Sequence, residues 1–338
     1  MITKCTDNDN SQYFFIFVEK FKSKKMRKLG LRSTTSKKNE REIKDFLDDE
    51  KSEKYRQVNI LPDLETDMPS RAWRRMSETQ TFKTVAPLNI HSPVQPDCLR
   101  FVCLSDTHSM LHADNMSNFY VPPGDILLHA GDFTNEGRPL EIERFNEVLG
   151  KLPHKKKIVI AGNHELSFDE SLFTEANCFG ESIGTVKHYL KTKGFKSVRE
   201  ILTNAIYLQD AMVTVCGINI YGSPWQPRFG CWAFNVIRGK EILQNWNYIP
   251  DNVDILITHG PPVGYGLTTD GETLFINASS CTKGYKLCNP PIIFDVPLPH
   301  GLSKYSSLES VEVVSYSKKE SSSKPVIGIS QKTKITNY

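Results

Sequence analysis

The chain has 338 residues, a formal net charge of +3 and a charged fraction of 24%. Because acidic and basic residues nearly balance, the composition excludes a protein whose whole surface attracts polyanions. No apolar run in the sequence approaches the roughly 18 residues of a transmembrane helix. The eight cysteines are scattered, which argues against a disulfide framework and structural zinc and favours a reducing, cytoplasmic compartment.

The N-terminal part, residues 1–97, lacks the sustained periodicity of helices or strands. We expect a disordered basic and polar tail there, with at most a helical turn or two. Eleven Lys or Arg residues lie between residues 20 and 44. Such a run can be a nuclear-import signal or an arm that attracts phosphate, but a solvated charged tail is the interpretation that we favour.

From residue 98 the sequence changes to short apolar runs bounded by Gly and Asp, a pattern typical of buried strands. These runs predict strands over residues 99–104, 125–130, 157–161, 211–216, 218–221, 255–258, 274–278 and 292–296. The residues after Pro299 are rich in Ser and Lys and predict a flexible tail over 299–338.

Two helices are predicted among these strands. Pro139 stands where it can begin a helix, and Pro153 would end it. Five apolar residues recur between them at helical spacing: Ile142, Phe145, Val148, Leu149 and Leu152. Because this helix would join two neighbouring strands, we expect a βαβ unit with a right-handed crossover. The second helix is predicted over residues 238–248.

Four predicted strands end in residues that can bind a metal. The segments are Asp106-Thr-His108, Gly131-Asp132, Gly162-Asn163-His164-Glu165 and His259-Gly-Pro-Pro262. Each segment alone is more often an ordinary turn or a loop histidine, but four at strand ends are a rare coincidence. In open α/β sheets, sites form where the C-terminal ends of strands meet. The four together therefore predict a two-metal hydrolase site.

The ligand types indicate the chemistry of this site. Asp106 and His108 are two apart and can chelate one ion, whereas Asp132 has two oxygens and can bridge two ions. Mixed oxygen and nitrogen donors favour Mn, Fe or Zn over Ca. Two such ions, ~3.5–4 Å apart, would lower the pKa of a bridging water and hold both oxygens of an in-line phosphoryl displacement.

The four segments resemble the successive signatures of the calcineurin-like metallophosphoesterases. Further segments are similar to the metallophosphoesterase-domain-containing branch: Ser223-Pro-Trp-Gln-Pro227, Phe275-Ile-Asn-Ala-Ser279 and Asn289-Pro-Pro-Ile-Ile-Phe-Asp295. The resemblance covers about residues 99–298 and implies an α/β sandwich of two sheets with two metals at the strand ends. It places a metallophosphoesterase domain over residues 98–298, between the two tails.

The resemblance also implies roles for individual residues. Asp106 and His108 would hold the first metal, Asp132 would bridge, Asn163 and His259 would hold the second metal, and His164 would face the substrate phosphate. His164 would either protonate the leaving oxygen or stabilise charge on the phosphoryl group. Related enzymes hydrolyse phosphodiesters, including cyclic nucleotides, commonly with manganese. We therefore expect two divalent ions, with manganese favoured over iron or zinc, a phosphodiester or nucleotide substrate, and no membrane partner.

One family signature is absent from the sequence. In the family, a strand end of the Gly-His-x-His type follows the His259 segment and usually gives one histidine to each metal, although some members of the branch have glycine in place of the first. Here the next histidine is His300, in the C-terminal tail. We therefore expect a missing helix and strand near residues 264–267, ~30 residues on the scale of a βα unit.

The missing signature leaves two hypotheses open. Loss of a metal ligand is expected to weaken the site at least 10–100-fold, so the chain is either a metal-dependent phosphoesterase with reduced activity or an impaired isoform. The impaired isoform would bind phosphate or nucleotide without efficient turnover. A third hypothesis, nucleic-acid binding by residues 20–44, ranks last because aromatic residues are not interleaved with the basic ones.

Overall fold

The computed structural model of the chain describes residues 16–19, 61–111, 119–173, 182–260, 265–282, 284–304, 308 and 311–316. The strands, in chain order, are β1 (Ile16–Glu19), β2 (Lys83–Val85), β3 (Cys98–Leu104), β4 (Ile126–Ala130), β5 (Lys156–Ile160), β6 (Ile206–Tyr207), β7 (Ala211–Val215), β8 (Ile218–Ser223), β9 (Gln226–Pro227), β10 (Asn235–Val236), β11 (Ile255–Thr258), β12 (Tyr265–Asp270), β13 (Thr273–Ala278), β14 (Ile292–Pro297) and β15 (Glu312–Ser315). The α-helices are α1 (Pro69–Ser77), α2 (Pro139–Lys151), α3 (Ser182–Lys193) and α4 (Lys240–Trp246). Short 3-10 helices span Leu166–Phe168, Glu170–Phe173 and Val198–Ile201.

The smaller main sheet has five strands in the order β14-β3-β4-β5-β6. Strands β3 to β6 are parallel, and β14 is antiparallel to β3. Nearly every residue of β3 and β4 is buried, as expected for parallel strands covered on both faces. Helix α2 makes the crossover between β4 and β5. Its start is fixed by Pro139 and by the Glu141 carboxylate, which accepts the N–H of Arg138 at 2.9 Å.

The larger sheet has eight strands in the order β15-β7-β8-β11-β1-β13-β12-β2. Strands β8 and β11 are parallel, whereas the other neighbouring pairs are antiparallel. Strand β1 lies between β11 and β13, with Phe17 opposite both Leu256 and Phe275. A four-residue segment near the start of the chain thus joins two strands from its last third.

The two sheets pack face to face around one apolar core. Side chains such as Phe101 and Ile158 of the smaller sheet meet Val213 and Ile257 of the larger sheet in this core. A second core on the outer face of the smaller sheet is covered by helix α2 and by Val186 of α3. The fold is therefore an α/β sandwich of two sheets, as predicted. The missing helix and strand were expected near residues 264–267; residue 264 lies outside the described residues, and residues 265–267 begin β12.

The strands predicted from residue 98 onward are present with ends within two residues, and both predicted helices are present. Helix α3 and strands β6, β9, β10 and β12 were not predicted. Helix α1 and strands β1 and β2 fall within the proposed N-terminal tail, and β15 falls within the proposed C-terminal tail. The whole basic run at residues 20–44 is outside the described residues, so the domain boundaries stay predictions. Among the described residues, no helix has both the length and the apolar character that crossing a membrane requires.

Candidate metal centre

The strand ends that carry the candidate ligands meet at one edge of the sandwich. Asp106 follows β3, Asp132 follows β4, Asn163 follows β5 and His259 follows β11. Backbone contacts tie these ends together: the N–H of Asp106 donates to Gly131 O at 3.0 Å, and Nδ1 of His259 lies 2.6 Å from Ala130 O. Since β11 belongs to the larger sheet and the other three strands to the smaller one, the site spans both sheets.

Two groups of side chains in the described part of the chain could hold a metal ion. One group is Asp106, Asp132 and His259, and the other is His108, Asp132 and His164. Within each group the ligand atoms lie within 4.8 Å of one another. Asp132 belongs to both groups, which is the arrangement that a bridging carboxylate needs. Asp106 lies with His259 rather than with His108, so the predicted division of ligands between two ions stays a prediction.

Asn163 is buried beside this cluster, between two residues that contact Asp132. The N–H of His164 donates to Asp132 Oδ1 at 2.9 Å, and the Asn163 carbonyl accepts the N–H of Ala233 at 3.1 Å. Its backbone is therefore fixed at the centre. The predicted role of its side-chain oxygen as a ligand stays a prediction.

The backbone at the candidate ligands is strained. Asp106, His108 and Asp132 have φ values of 53°, 41° and 53°, in the left-handed region that side chains other than glycine rarely adopt. Such strain persists only where the surrounding structure enforces it, and it is concentrated at functional sites. The strained residues contribute to both ligand groups, which share Asp132.

Two glycines leave room for the ligand atoms. Gly131 has φ of 95°, and a Cβ there would lie 2.5 Å from Nδ1 of His259. A Cβ on Gly162 would collide with Asp132 Oδ1 and lie 2.6 Å from Nε2 of His259. The bare backbone therefore forms a cradle for mixed oxygen and nitrogen donors, and this donor set fits divalent Mn, Fe or Zn.

Glu165 is a fully buried carboxylate for which the sequence analysis gave no role. It accepts the N–H groups of Asp132, Gly162 and Thr134 at 2.8, 2.5 and 2.8 Å, and the Thr134 hydroxyl at 2.8 Å. Burial and the nearby Asp132 raise the pKa of Glu165 to about 8. The residue ties the loop after β4 to the loop after β5. The sequence signal that could have identified Glu165 was its position directly after His164.

Burial and neighbouring charges shift the pKa values of the ionisable residues in the centre. Burial lowers the pKa of His108 to about 4, which leaves the neutral imidazole that metals prefer. Burial alone would lower the pKa of His259, but the carboxylates of Asp132 and Asp106 raise it to about 10. Burial alone would raise the pKa of Asp132, but His259 at 3.3 Å holds it well below its usual range. A divalent ion bound there would displace the proton of His259.

His164 presents one ring nitrogen to the cluster. Its Nδ1 lies 2.7 Å from the carbonyl oxygen of Asn135, and a carbonyl can only accept, so Nδ1 carries the hydrogen. Its Nε2 lies 4.0 Å from Asp132 Oδ2. By contrast, His129 is fully buried beside Thr107 and two phenylalanines and belongs to neither ligand group.

Comparisons with known proteins agree with this geometry. The sequence model of the calcineurin-like phosphoesterase family matches residues 99–287. The chain is 43% identical over 253 residues to metallophosphoesterase domain-containing protein 1 of Homo sapiens, covering 64% of this chain and 76% of that protein. It is 38% identical over 279 residues to UPF0046 protein T07D4.2 of Caenorhabditis elegans, covering 70% and 69% of the two chains. The chain thus belongs to the calcineurin-like phosphoesterase family, as its strand-end motifs predicted.

Proposed function

We propose that the protein hydrolyses phosphodiesters, cyclic nucleotides included, with manganese as its metal. The observation that carries this proposal is the position of Asp132, which two candidate ligand groups share at the meeting point of four strands. Two divalent ions held there would supply an activated water and neutralise charge on the phosphate. Family membership supports the phosphoesterase activity, and the donor types support manganese over calcium.

The residues of the chain have distinct tasks in this proposal. Asp132 orients the centre through both oxygens, and its backbone is held by Glu165. His164 faces the phosphate through Nε2, because Nδ1 is bound to Asn135. From that position Nε2 of the doubly protonated ring can give a proton to the leaving oxygen, or the ring can stabilise charge on the phosphoryl group.

The proposal is tested by metal-dependent hydrolysis of bis(p-nitrophenyl) phosphate. The protein is stripped with a chelator and assayed with and without added Mn²⁺. Manganese should restore hydrolysis in the wild type, and Asp132→Asn should lower that hydrolysis at least 100-fold, because both ligand groups lose a carboxylate. Asp251→Asn, at an exposed aspartate, is the matched control and should keep the rate. A wild type without manganese-dependent turnover would refute the proposal.

The second candidate function is an impaired isoform that binds phosphate or nucleotide with poor turnover. It is favoured by the absent Gly-His-x-His signature, because the described ligand groups contain three residues each. We expect kcat/KM more than tenfold below that of a relative with the complete signature, assayed with manganese on the same substrate. Equal values for the two proteins would exclude impairment. Tight nucleotide binding by calorimetry together with slow turnover would favour it.

A further inference from the structure

Two aromatic side chains from separate loops contact the histidines of the metal centre. The ring centroid of Trp232 lies 4.2 Å from that of His164, and the rings are tilted by 35°. The ring of Tyr285 lies 4.6 Å from that of His108 in an edge-to-face arrangement. His108 and His164 are themselves 4.6 Å apart. The four rings therefore form a bent row, in the order Trp232, His164, His108 and Tyr285, in which the ring of Tyr285 also lies 6.0 Å from that of His164.

The loop that carries Trp232 is anchored to the centre. It lies between β9 and β10, and the N–H of Ala233 donates to the carbonyl of Asn163 at 3.1 Å. The next residue, Phe234, is fully buried and donates its N–H to Asp169 Oδ2 at 2.7 Å. Trp232 itself is half-buried. One face of its indole therefore has a fixed position beside the candidate phosphate site.

Tyr285 is held in an unusual conformation at the other end of the row. Tyr285 lies in a turn with two backbone hydrogen bonds of 2.9 Å each. The N–H of Thr282 donates to Lys286 O, and the N–H of Tyr285 donates to Thr282 O. Its φ is 56°, a strained value for a bulky residue, yet half of the side chain is exposed. Burial alone does not account for a strained backbone that leaves the ring in water. Strain of this kind is concentrated at functional sites.

Building on the phosphoesterase function proposed above, we propose that Trp232 and Tyr285 form an aromatic clamp that holds the nucleobase of a nucleoside phosphodiester. The phosphate would lie at Asp132 and His164, beside the two rings. Any nucleobase can stack on an aromatic side chain, whichever polar groups the base carries, because every base has a π-face. The clamp would therefore select nucleoside phosphodiesters over those without a base, such as glycerophosphodiesters.

The test compares two substrates that share one leaving group. Thymidine 5′-(p-nitrophenyl phosphate) and methyl p-nitrophenyl phosphate both release p-nitrophenolate, and they differ in carrying a nucleoside or a methyl group. The wild type should prefer the thymidine ester. Trp232→Leu and Tyr285→Leu should each lower the ratio of the two kcat/KM values about tenfold, mainly through the KM of the thymidine ester.

Two further variants separate stacking from other effects. Tyr285→Phe keeps the ring and should keep the ratio. Phe229→Leu removes a 45% exposed ring from the same loop as Trp232 and should also keep the ratio, because in the described part of the chain Phe229 has no ring contact with His108 or His164. An unchanged ratio in both Trp232→Leu and Tyr285→Leu would overturn the clamp.

A failure of the proposed function is distinguishable from a failure of the clamp. If the manganese-loaded wild type hydrolyses neither ester, calorimetric binding of thymidine 5′-monophosphate and methyl phosphate decides the clamp without turnover. Trp232→Leu should then weaken binding of the nucleotide about tenfold relative to methyl phosphate. Equal affinity of the wild type for the two ligands would refute the clamp, whatever the enzyme does to phosphodiesters.

Discussion

The carboxylate of Glu165 accepts the backbone N–H of Asp132 at 2.8 Å. A residue after β5 thereby fixes the residue after β4 that both candidate ligand groups share. The same carboxylate also accepts the N–H of Gly162 at 2.5 Å and that of Thr134 at 2.8 Å. Glu165 belongs to neither ligand group, so it positions the metal centre without contributing a ligand.

Glu165→Gln should weaken manganese binding and lower phosphodiester hydrolysis by about 10–100-fold, the usual cost of losing a residue that orients metal ligands. In the wild type, the backbone donors share the two carboxylate oxygens of Glu165. Glutamine has only one side-chain oxygen, and its NH₂ group would face a donor that the second oxygen now accepts. Calorimetric titration with Mn²⁺ measures the affinity. Glu143→Gln, whose carboxylate pairs with Lys193 away from the centre, should leave it unchanged. Normal manganese affinity in Glu165→Gln would exclude a positioning role.

Gly162→Ala should abolish measurable manganese binding at millimolar metal. The added Cβ would collide with Asp132 Oδ1 and approach Nε2 of His259 to 2.6 Å, so the ligand atoms have to move apart. Gly184→Ala is the matched control, since a Cβ at that position of α3 has no neighbour within 4 Å. The control should bind manganese normally and be more stable by about 0.5–1 kcal/mol, as expected for glycine replacement inside a helix. Metal binding by Gly162→Ala equal to that of the control contradicts the cradle.

Removal of residues 1–19 should destabilise the domain, because β11 and β13 would both lose their partner strand. We expect the free energy of unfolding to fall by at least about 2 kcal/mol, given ~1 kcal/mol for each net backbone hydrogen bond. Differential scanning calorimetry would show this as a lower Tm. Removal of residues 1–12 keeps β1 and is the control. Identical Tm values for the two truncated forms would show that β1 contributes nothing to the sheet.

Asp210→Asn should change the pH dependence of stability. Burial raises the pKa of Asp210 from 3.8 to about 6, although its carboxylate accepts hydrogen bonds from Trp225 Nε1 and Ser223 Oγ. The folded protein therefore binds more protons than the unfolded chain between pH 4 and 6. The resulting stabilisation is present below pH 3.8 and is lost as the pH rises through 6. Asn cannot ionise and tolerates the left-handed backbone at this position, where φ is 47°.

Urea denaturation of wild type and Asp210→Asn across pH 4–7 measures this effect. The two proteins should be nearly equal at pH 4, and Asp210→Asn should be the more stable at pH 7 by on the order of 1–3 kcal/mol, since one pKa unit corresponds to about 1.4 kcal/mol. The other titrating groups are common to both proteins and cancel in the difference. A difference that stays constant from pH 4 to 7 would exclude Asp210 as its source.

The sequence predicted the parts of the fold that local patterns encode. Strands β3, β4 and β5 are rich in buried apolar residues, and each is followed by a motif whose residue types indicate a metal ligand. Helix α3 was missed because its sequence contains Gly184 and Thr185, which are poor helix formers, and of its described side chains only Val186 is fully enclosed in the core. Strand β1 was missed because a four-residue strand needs no alternating pattern when both of its edges are paired.

The candidate centre likewise has features that the sequence predicted and features that it did not. The motifs located Asp106, Asp132 and His259, but no local pattern predicts the left-handed backbone of Asp106 and Asp132, which tertiary contacts enforce. Trp232 and Tyr285 come from loops that lie far from the ligand motifs in sequence. Their approach to the centre depends on long-range packing, such as the bond from Ala233 to Asn163, and this is not written in periodicity or spacing.

The position of β1 has a consequence for biosynthesis. Phe17 pairs with Leu256, so the ribosome makes the two partners about 240 residues apart. At ~5–20 residues per second, the first strand waits roughly 10–50 s for its neighbours. During synthesis, the sheet that carries His259 therefore cannot be completed until the last third of the chain has emerged from the ribosome. A nascent chain stalled before residue 255 should expose segment 16–19 to proteases or chaperones, and the finished chain should protect it.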